Sequence, residues 1–159
     1  MPEFILDGTE APDFRALDDF TQGYIQALFF TEESPGVSTE EWEAGCEQGN
    51  LGSLPGDVGF LDLAPEALQA IIADCKAFQE VNAALLAEAY DRPGYDEERA
   101  GMDFWYTRNG HGVGYWDRKE LEAGDLGDRL SERCGWRNKT KPYFGEVYAC
   151  FGDDRKVHL

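Results

Sequence analysis

From Pro65 to Pro93 the chain runs without an internal glycine or proline, and no other stretch constrains the fold as strongly. Proline suits a first helical turn, where its missing N–H would have no partner anyway. At 100° per residue, Leu68, Ile71, Cys75, Phe78, Leu85, Leu86 and Ala89 share one side, while Glu66, Asp74, Glu80, Glu88 and Asp91 gather on the other. The spacing predicts one long amphipathic helix over about 64–90, with one face in a core and the opposite face acidic.

The flanking residues suggest what that helix covers. Asp13 can cap a helix running to about Phe30, with Phe14, Leu17, Thr21, Tyr24 and Leu28 on one stripe. Residues 32–62 hold Pro35, Gly49, Gly52, Pro55 and Gly56 and read as loop, interrupted by a short helix that Ser38 caps and Glu41 closes as a capping box. Beyond Pro93-Gly94 the residues become β-prone. Phe104–Thr107 and Val113–Trp116 flank Arg108-Asn109-Gly110-His111-Gly112, and Asn-Gly between such runs signals a hairpin. Leu121–Cys134 reads as a helix weakened by Gly124 and Gly127, and two further strands, 146–151 and 156–159, flank a turn at 152–155.

The expected fold is therefore α+β: amino-terminal helices, the long one included, packed on a small antiparallel sheet of ββαββ order. A single domain over 1–159 is expected, with an acidic helical part (about 1–93) and a hairpin-rich sheet part (about 94–159). A chain of this length can bury a substantial core.

Charge divides the chain in the same way. The net charge is −18, yet residues 1–98 contain only Arg15, Lys76 and Arg92 as bases, and the remainder is close to neutral. That field disfavours unaided binding to nucleic acid or to an anionic membrane. An asymmetric acidic half points instead to a basic protein partner. The candidate partner-binding acids are Glu32, Glu33, Glu40, Glu41, Glu43 and Glu47 on the loop and short helix, with Glu66, Asp74, Glu80 and Glu88 on the long helix. Those four stand about 12, 9 and 12 Å apart at 1.5 Å per residue, sparser than the roughly 3.4 Å between phosphates of one DNA strand. The loop acids would have to fill the gaps for the surface to imitate DNA. The basic residues Arg133, Arg137, Lys139 and Lys141 read as counter-charge.

Cys46, Cys75, Cys134 and Cys150 form no C-x-x-C pair, which argues against zinc and for four buried free thiols in a reducing compartment. Neither a metal nor a cofactor is expected. The first ten residues lack the basic and apolar regions of a signal peptide, and no apolar run has the length of a membrane span, so a cytoplasmic location is expected.

The densest reactive cluster is Asp103–Arg118, DFWYTRNGHGVGYWDR. A hairpin tip there could present Arg108 and His111 to a ligand with Asp117 orienting one of them, a small-molecule site or an active site. The plainer alternative is that Asn109-Gly110 makes the turn, Gly114 leaves room for an aromatic ring, and Asp117 pairs with Arg108 or Arg118. No phosphate-loop or nucleophile-elbow motif accompanies the cluster.

Gly101–Arg118, together with Asp57–Leu68 and Gly124–Leu130, resembles a family of small proteins of bacteriophages and other mobile elements, a likeness covering about residues 55–155. No assigned activity comes with it. What the resemblance implies is a setting: a phage protein acting in the cytoplasm of a bacterial host, with a restriction or CRISPR effector as the kind of nucleic-acid-handling target that the acidic half would suit.

Overall fold

A computed structural model describes residues 5–45 and 51–159. Asp18, rather than Asp13, caps the first long helix, α2 (Asp19–Glu32), accepting from the Thr21 N–H at 2.7 Å. Asp13 belongs to a separate single turn, α1 (Pro12–Arg15). The expected stripe holds: Phe14, Thr21, Tyr24 and Leu28 are buried, and Leu17 packs against them. β1 (Glu33–Ser34) pairs in parallel with β2 (Leu54–Pro55), and between them lies α3 (Thr39–Glu43). Its capping box is reciprocal, the Glu41 N–H donating to Ser38 Oγ and the Ser38 N–H to Glu41 Oε2.

The long helix forms as two pieces, α4 (Pro65–Val81) and α5 (Ala83–Tyr90). Asn82 separates them at φ −108°, ψ 23°, its side-chain amide donating to the Phe78 carbonyl at 3.0 Å. A short amide that bonds to the preceding turn in this way competes with the regular helical ladder. The core face is the expected one, with Ile71, Cys75, Phe78, Leu86 and Ala89 buried.

The largest departure lies after Gly94. Residues 97–109 form a helix, α6 (Glu97–Asn109), where a strand and hairpin were expected. Asp96 caps it, and Gly110 ends it in the left-handed conformation (φ 68°, ψ 39°), with the His111 N–H donating to the Tyr106 carbonyl at 3.1 Å. Asn109-Gly110 is thus a helix stop. Phe, Trp, Tyr and Thr favour strands because they suit a half-buried pleated surface, and a helix buried on most sides satisfies the same side chains. Residues 115–117 and 119–121 are single 3₁₀ turns, and only Leu126–Ser131 of the expected later helix is α-helical (α7), Gly124 interrupting it at φ 72°. The final antiparallel pair does form, shortened to β3 (Cys150–Phe151) and β4 (Val157–His158) around the 152–155 turn. Among the described residues the strands make two separate pairs, so the ββαββ sheet is absent and α4 packs on α2 and α6 through Phe78, Phe20 and Phe104.

What organises the interior is the meeting of α2 with α6. The helices run in the same direction: Gln26, Ala27 and Phe30 lie beside Met102 and Tyr106, and the Trp105 indole donates to Thr31 Oγ1 at 2.8 Å. Gly23 and Gly101 face each other at the crossing. A Cβ on Gly23 would strike the Glu98 carbonyl, and one on Gly101 the Phe20 carbonyl, each far inside the 3.0 Å that real Cβ atoms keep. Each glycine lies against the carbonyl three residues before its counterpart, so the contact is reciprocal. Around it Phe104 stacks on Phe78 with centroids 4.1 Å apart and touches Phe20, Tyr24 and Phe144. Aromatic pairs of this kind add to the energy of burial itself.

Candidate functional site

The Asp103–Arg118 cluster is used mostly to fold the chain. Asp103 is fully buried; Arg118 Nε lies 2.9 Å from both of its oxygens, and Tyr95 OH donates to Oδ2 at 2.9 Å. Thr107 Oγ1 accepts from the Tyr115 N–H, and the Tyr115 hydroxyl donates to the Ala100 carbonyl at 2.7 Å. These bonds hold the segment after Gly110 against the side of α6.

The three residues proposed for catalysis or ligand binding are not brought together. Arg108 is buried, donating to Asp74 Oδ2 at 2.8 Å, to the Gly145 carbonyl at 2.8 Å and to Tyr24 OH at 3.1 Å, over the Phe104 ring. Its Nε and Nη1 donors are spent on structure. His111 packs on Trp105 with Nε2 3.6 Å from Glu32 Oε1. Asp117 is exposed and makes no ion pair among the described residues; Arg108 and Arg118 take Asp74 and Asp103 instead.

The acids proposed for partner binding are partly compensated. Asp74 serves Arg108, and Glu88 is shared by Arg92 and Arg129. Arg155, from the last turn of the chain, reaches Glu43 at 2.7 Å and Glu40 at 3.8 Å. Glu41 closes the capping box, Glu32 accepts from Ser53, Glu80 lies 3.9 Å from Lys76, and Glu66 is exposed. Glu33 is half-buried, its carboxyl pushed up by desolvation and by Asp7. Glu47 lies outside the described residues. The acidic face of the long helix is therefore broken by bases that sequence distance concealed.

Uncompensated acids collect elsewhere, where the parallel α2 and α6 begin. Asp18, Asp19, Asp96, Glu97 and Glu98 sit in or just before the first turns and make no ion pair among the described residues. Their proximity is felt electrostatically: burial, then Asp96 and Asp19, push the Glu98 carboxyl up, and Glu97, Asp18 and Asp96 help to raise the Tyr90 hydroxyl beyond what burial does. Two helix N-termini offset part of this repulsion, each carrying about half a positive charge. The arrangement was not legible because Asp18-Asp19 and Asp96–Glu98 lie more than 70 residues apart and meet only through the Gly23–Gly101 crossing.

Glu33, Glu98 and Asp103 all carry raised carboxyl pKa values, burial being the first cause in each, opposed at Asp103 by Arg118. Each holds its proton to higher pH in the folded chain than in the unfolded one, so lowering the pH through the raised values stabilises the fold. Asp57, Glu120 and Asp154 are shifted down, and they act against folding only below the ordinary values of 3.8 and 4.5. The melting temperature is expected to rise as the pH is lowered from neutral toward the ordinary carboxylate values and to fall once the pH passes below them. A steady fall from pH 8 downward would contradict this balance.

A second surface went unread in the sequence. Gly110 and Gly112 form one wall of a cavity of about 170 Å³ whose other walls are Trp116, Trp136 and Arg137, with buried Cys134 among its lining residues. The Arg137 guanidinium lies over both indoles, 5.7 Å from Trp116 and 5.0 Å from Trp136. The glycine-rich stretch thus does border a concavity, shared with Tyr106, Thr107 and Trp116 of its own segment and closed by residues 134–137. Of the cysteines, Cys75 and Cys134 are buried free thiols, the latter pushed up to about 12 by desolvation, whereas Cys150 is exposed rather than buried and Cys46 lies outside the described residues. Among the described residues, no group of three or more His, Cys, Asp and Glu side chains is placed to hold a metal, and no helix is long and apolar enough to cross a membrane. No protein-family model, curated protein or solved structure matches the chain.

Proposed function

We propose that this chain is a non-enzymatic docking protein whose acidic end occupies a basic, nucleic-acid-binding surface on another protein. The observation that carries the reading is the uncompensated group Asp18, Asp19, Asp96, Glu97 and Glu98 at two adjoining helix N-termini. Held on rigid elements, these carboxylates stand where a basic protein expects phosphates, as a compact patch rather than the ladder a single helix could offer. The phage-like signature of residues 101–118 sets the encounter in the cytoplasm of a bacterial host, with a restriction or CRISPR effector as the target. Imitation of DNA is then the means by which an acidic ligand excludes nucleic acid from its target's site.

The test is capture of partners from bacterial lysate on the immobilised chain, washed at about 0.1 M and about 1 M salt, between which the Debye length shrinks from about 10 Å to 3 Å. Nucleic-acid-binding proteins should be retained at low salt and released at high salt. The variant Asp19→Asn/Glu97→Gln/Glu98→Gln, which leaves both capping residues intact, should lose them, while Glu66→Gln keeps them. Equal capture by the triple variant, or a captured set without nucleic-acid-binding proteins, would remove the basis of the reading.

A further inference from the structure

The surface around Trp136 carries an inference independent of the acidic end. Beside the cavity at Trp116 lie two more: one of about 350 Å³ bordered by Asp128, Glu132, Trp136, Arg137 and Lys139, and one of about 240 Å³ that adds Arg129 and Arg133. Trp136 and Arg137 are common to the first two, and Glu132 and Lys139 to the last two, so the three concavities adjoin along one grooved face. Its composition is that of interface hot spots, in which Trp and Arg are enriched. Trp136 is 78% exposed and Trp116 41%, an unusual amount of indole surface to leave in water.

The charges along the groove say what fits it. Arg129, Arg133, Arg137 and Lys139 outnumber Asp128 and Glu132. Arg133 and Lys139 have no ion pair among the described residues, and Arg137 has only Asp128 at 3.9 Å. A nucleic-acid strand carries a phosphate at every nucleotide, a charge density that Asp128 and Glu132 oppose and that the molecule's net charge of −18 repels more strongly than it repels a peptide with a few acidic side chains. An extended peptide carries both kinds of group: acidic side chains for the cations, backbone N–H donors for the two carboxylates, and aromatic side chains to lie on Trp136 and Trp116. We infer that the 128–139 groove, centred on the Trp116–Arg137–Trp136 stack, binds an acidic, aromatic-containing peptide segment of a partner protein.

A capped peptide of alternating glutamate and tyrosine is the probe, with its lysine–tyrosine counterpart and oligothymidine as comparisons, followed by tryptophan fluorescence and calorimetry. The glutamate peptide should bind, weaken as salt rises, and lose at least about tenfold in affinity in Arg133→Glu/Lys139→Glu, whose exposed positions leave the melting temperature unchanged. Trp136→Ala, also at an exposed position, should abolish binding. The inference is overturned if the charge-reversed variant binds as well as the parent, if oligothymidine binds as tightly as the peptide, if no peptide binds at all, or if the chain self-associates at low salt through the same residues, which would make a second copy the occupant. Neither outcome touches the acidic end, whose variants are tested separately.

Discussion

Alanine at Gly23 or at Gly101 is expected to cost about 3 kcal/mol or more, at the upper end of what overpacking a core costs. For a chain of this size that lowers the melting temperature by about 6–12 °C. The sign is diagnostic, because alanine is the better helix former by about 1 kcal/mol at an exposed helical position and would stabilise either helix in isolation. Here the added methyl group meets a carbonyl of the facing helix, Glu98 in one case and Phe20 in the other, and backbone cannot turn aside as a side chain can. The helices must separate, which opens gaps around Phe104, the ring that touches Phe20, Tyr24, Phe78 and Phe144. Once separated they have room for the second methyl group, so the double variant should lose clearly less than the sum of the two. Gly145→Ala, where no atom lies within 4 Å of the new Cβ, is the control and should be near neutral. Denaturant titration of the parent and the four variants decides the matter: a change below about 0.5 kcal/mol for either single variant would mean that the helices are not in this contact.

The same crossing shows what the sequence could and could not convey. Local rules worked where the decisive contacts are local: the Ser38–Glu41 capping box, proline at the start of α4, the buried stripe of Ile71, Cys75 and Phe78, and the turn at 152–155 are present. They failed at 104–116, where two readings were locally consistent. Aromatic, β-branched residues on either side of Asn-Gly describe a hairpin, and they equally describe a fully buried helix that ends at a left-handed glycine and returns along its own side. Nothing within that window chooses. The choice rests on Gly101, which lets α6 lie against α2, and on Asp103, which needs a cation delivered from position 118. The contact between the helices was hidden by its reach, and so was the acidic patch it creates, since the charges of Asp18 and Asp96 become one site only after the helices dock. The acids of α3, α4 and α5 are partly compensated for the complementary reason: Arg155, Arg108 and Arg129, which reach them, come from the half of the chain whose charge looked balanced on its own.

The signature that prompted a catalytic reading therefore has a structural core, and Arg118 tests it most sharply. Arg118→Met is expected to cost about 3–5 kcal/mol, the usual consequence of leaving a buried charge without its partner. Asp103 has no exposed surface, and with Arg118 gone only the Tyr95 hydroxyl remains to donate to it. Asp103→Asn should cost less, because the Arg118 side chain keeps 24% of its surface and its guanidinium can turn to water. Replacing both, as Asp103→Leu/Arg118→Met, should recover much of the loss, since a buried pair is often worth no more than well-packed apolar residues. A pH signature separates this from a simple packing defect. Burial already pushes the Asp103 carboxyl up and Arg118 is the chief group holding it down, so in Arg118→Met the carboxyl protonates at higher pH still. Folding of that variant then takes up a proton over a wider range, and its stability should climb more steeply than the parent's as the pH falls from 8 toward 5. A parallel pH profile, or a double variant no more stable than Arg118→Met alone, would mean that the arginine acts through packing of its stem. In that case the cation at position 118, and with it the reading of the signature as a device for closing the chain over α6, loses its support.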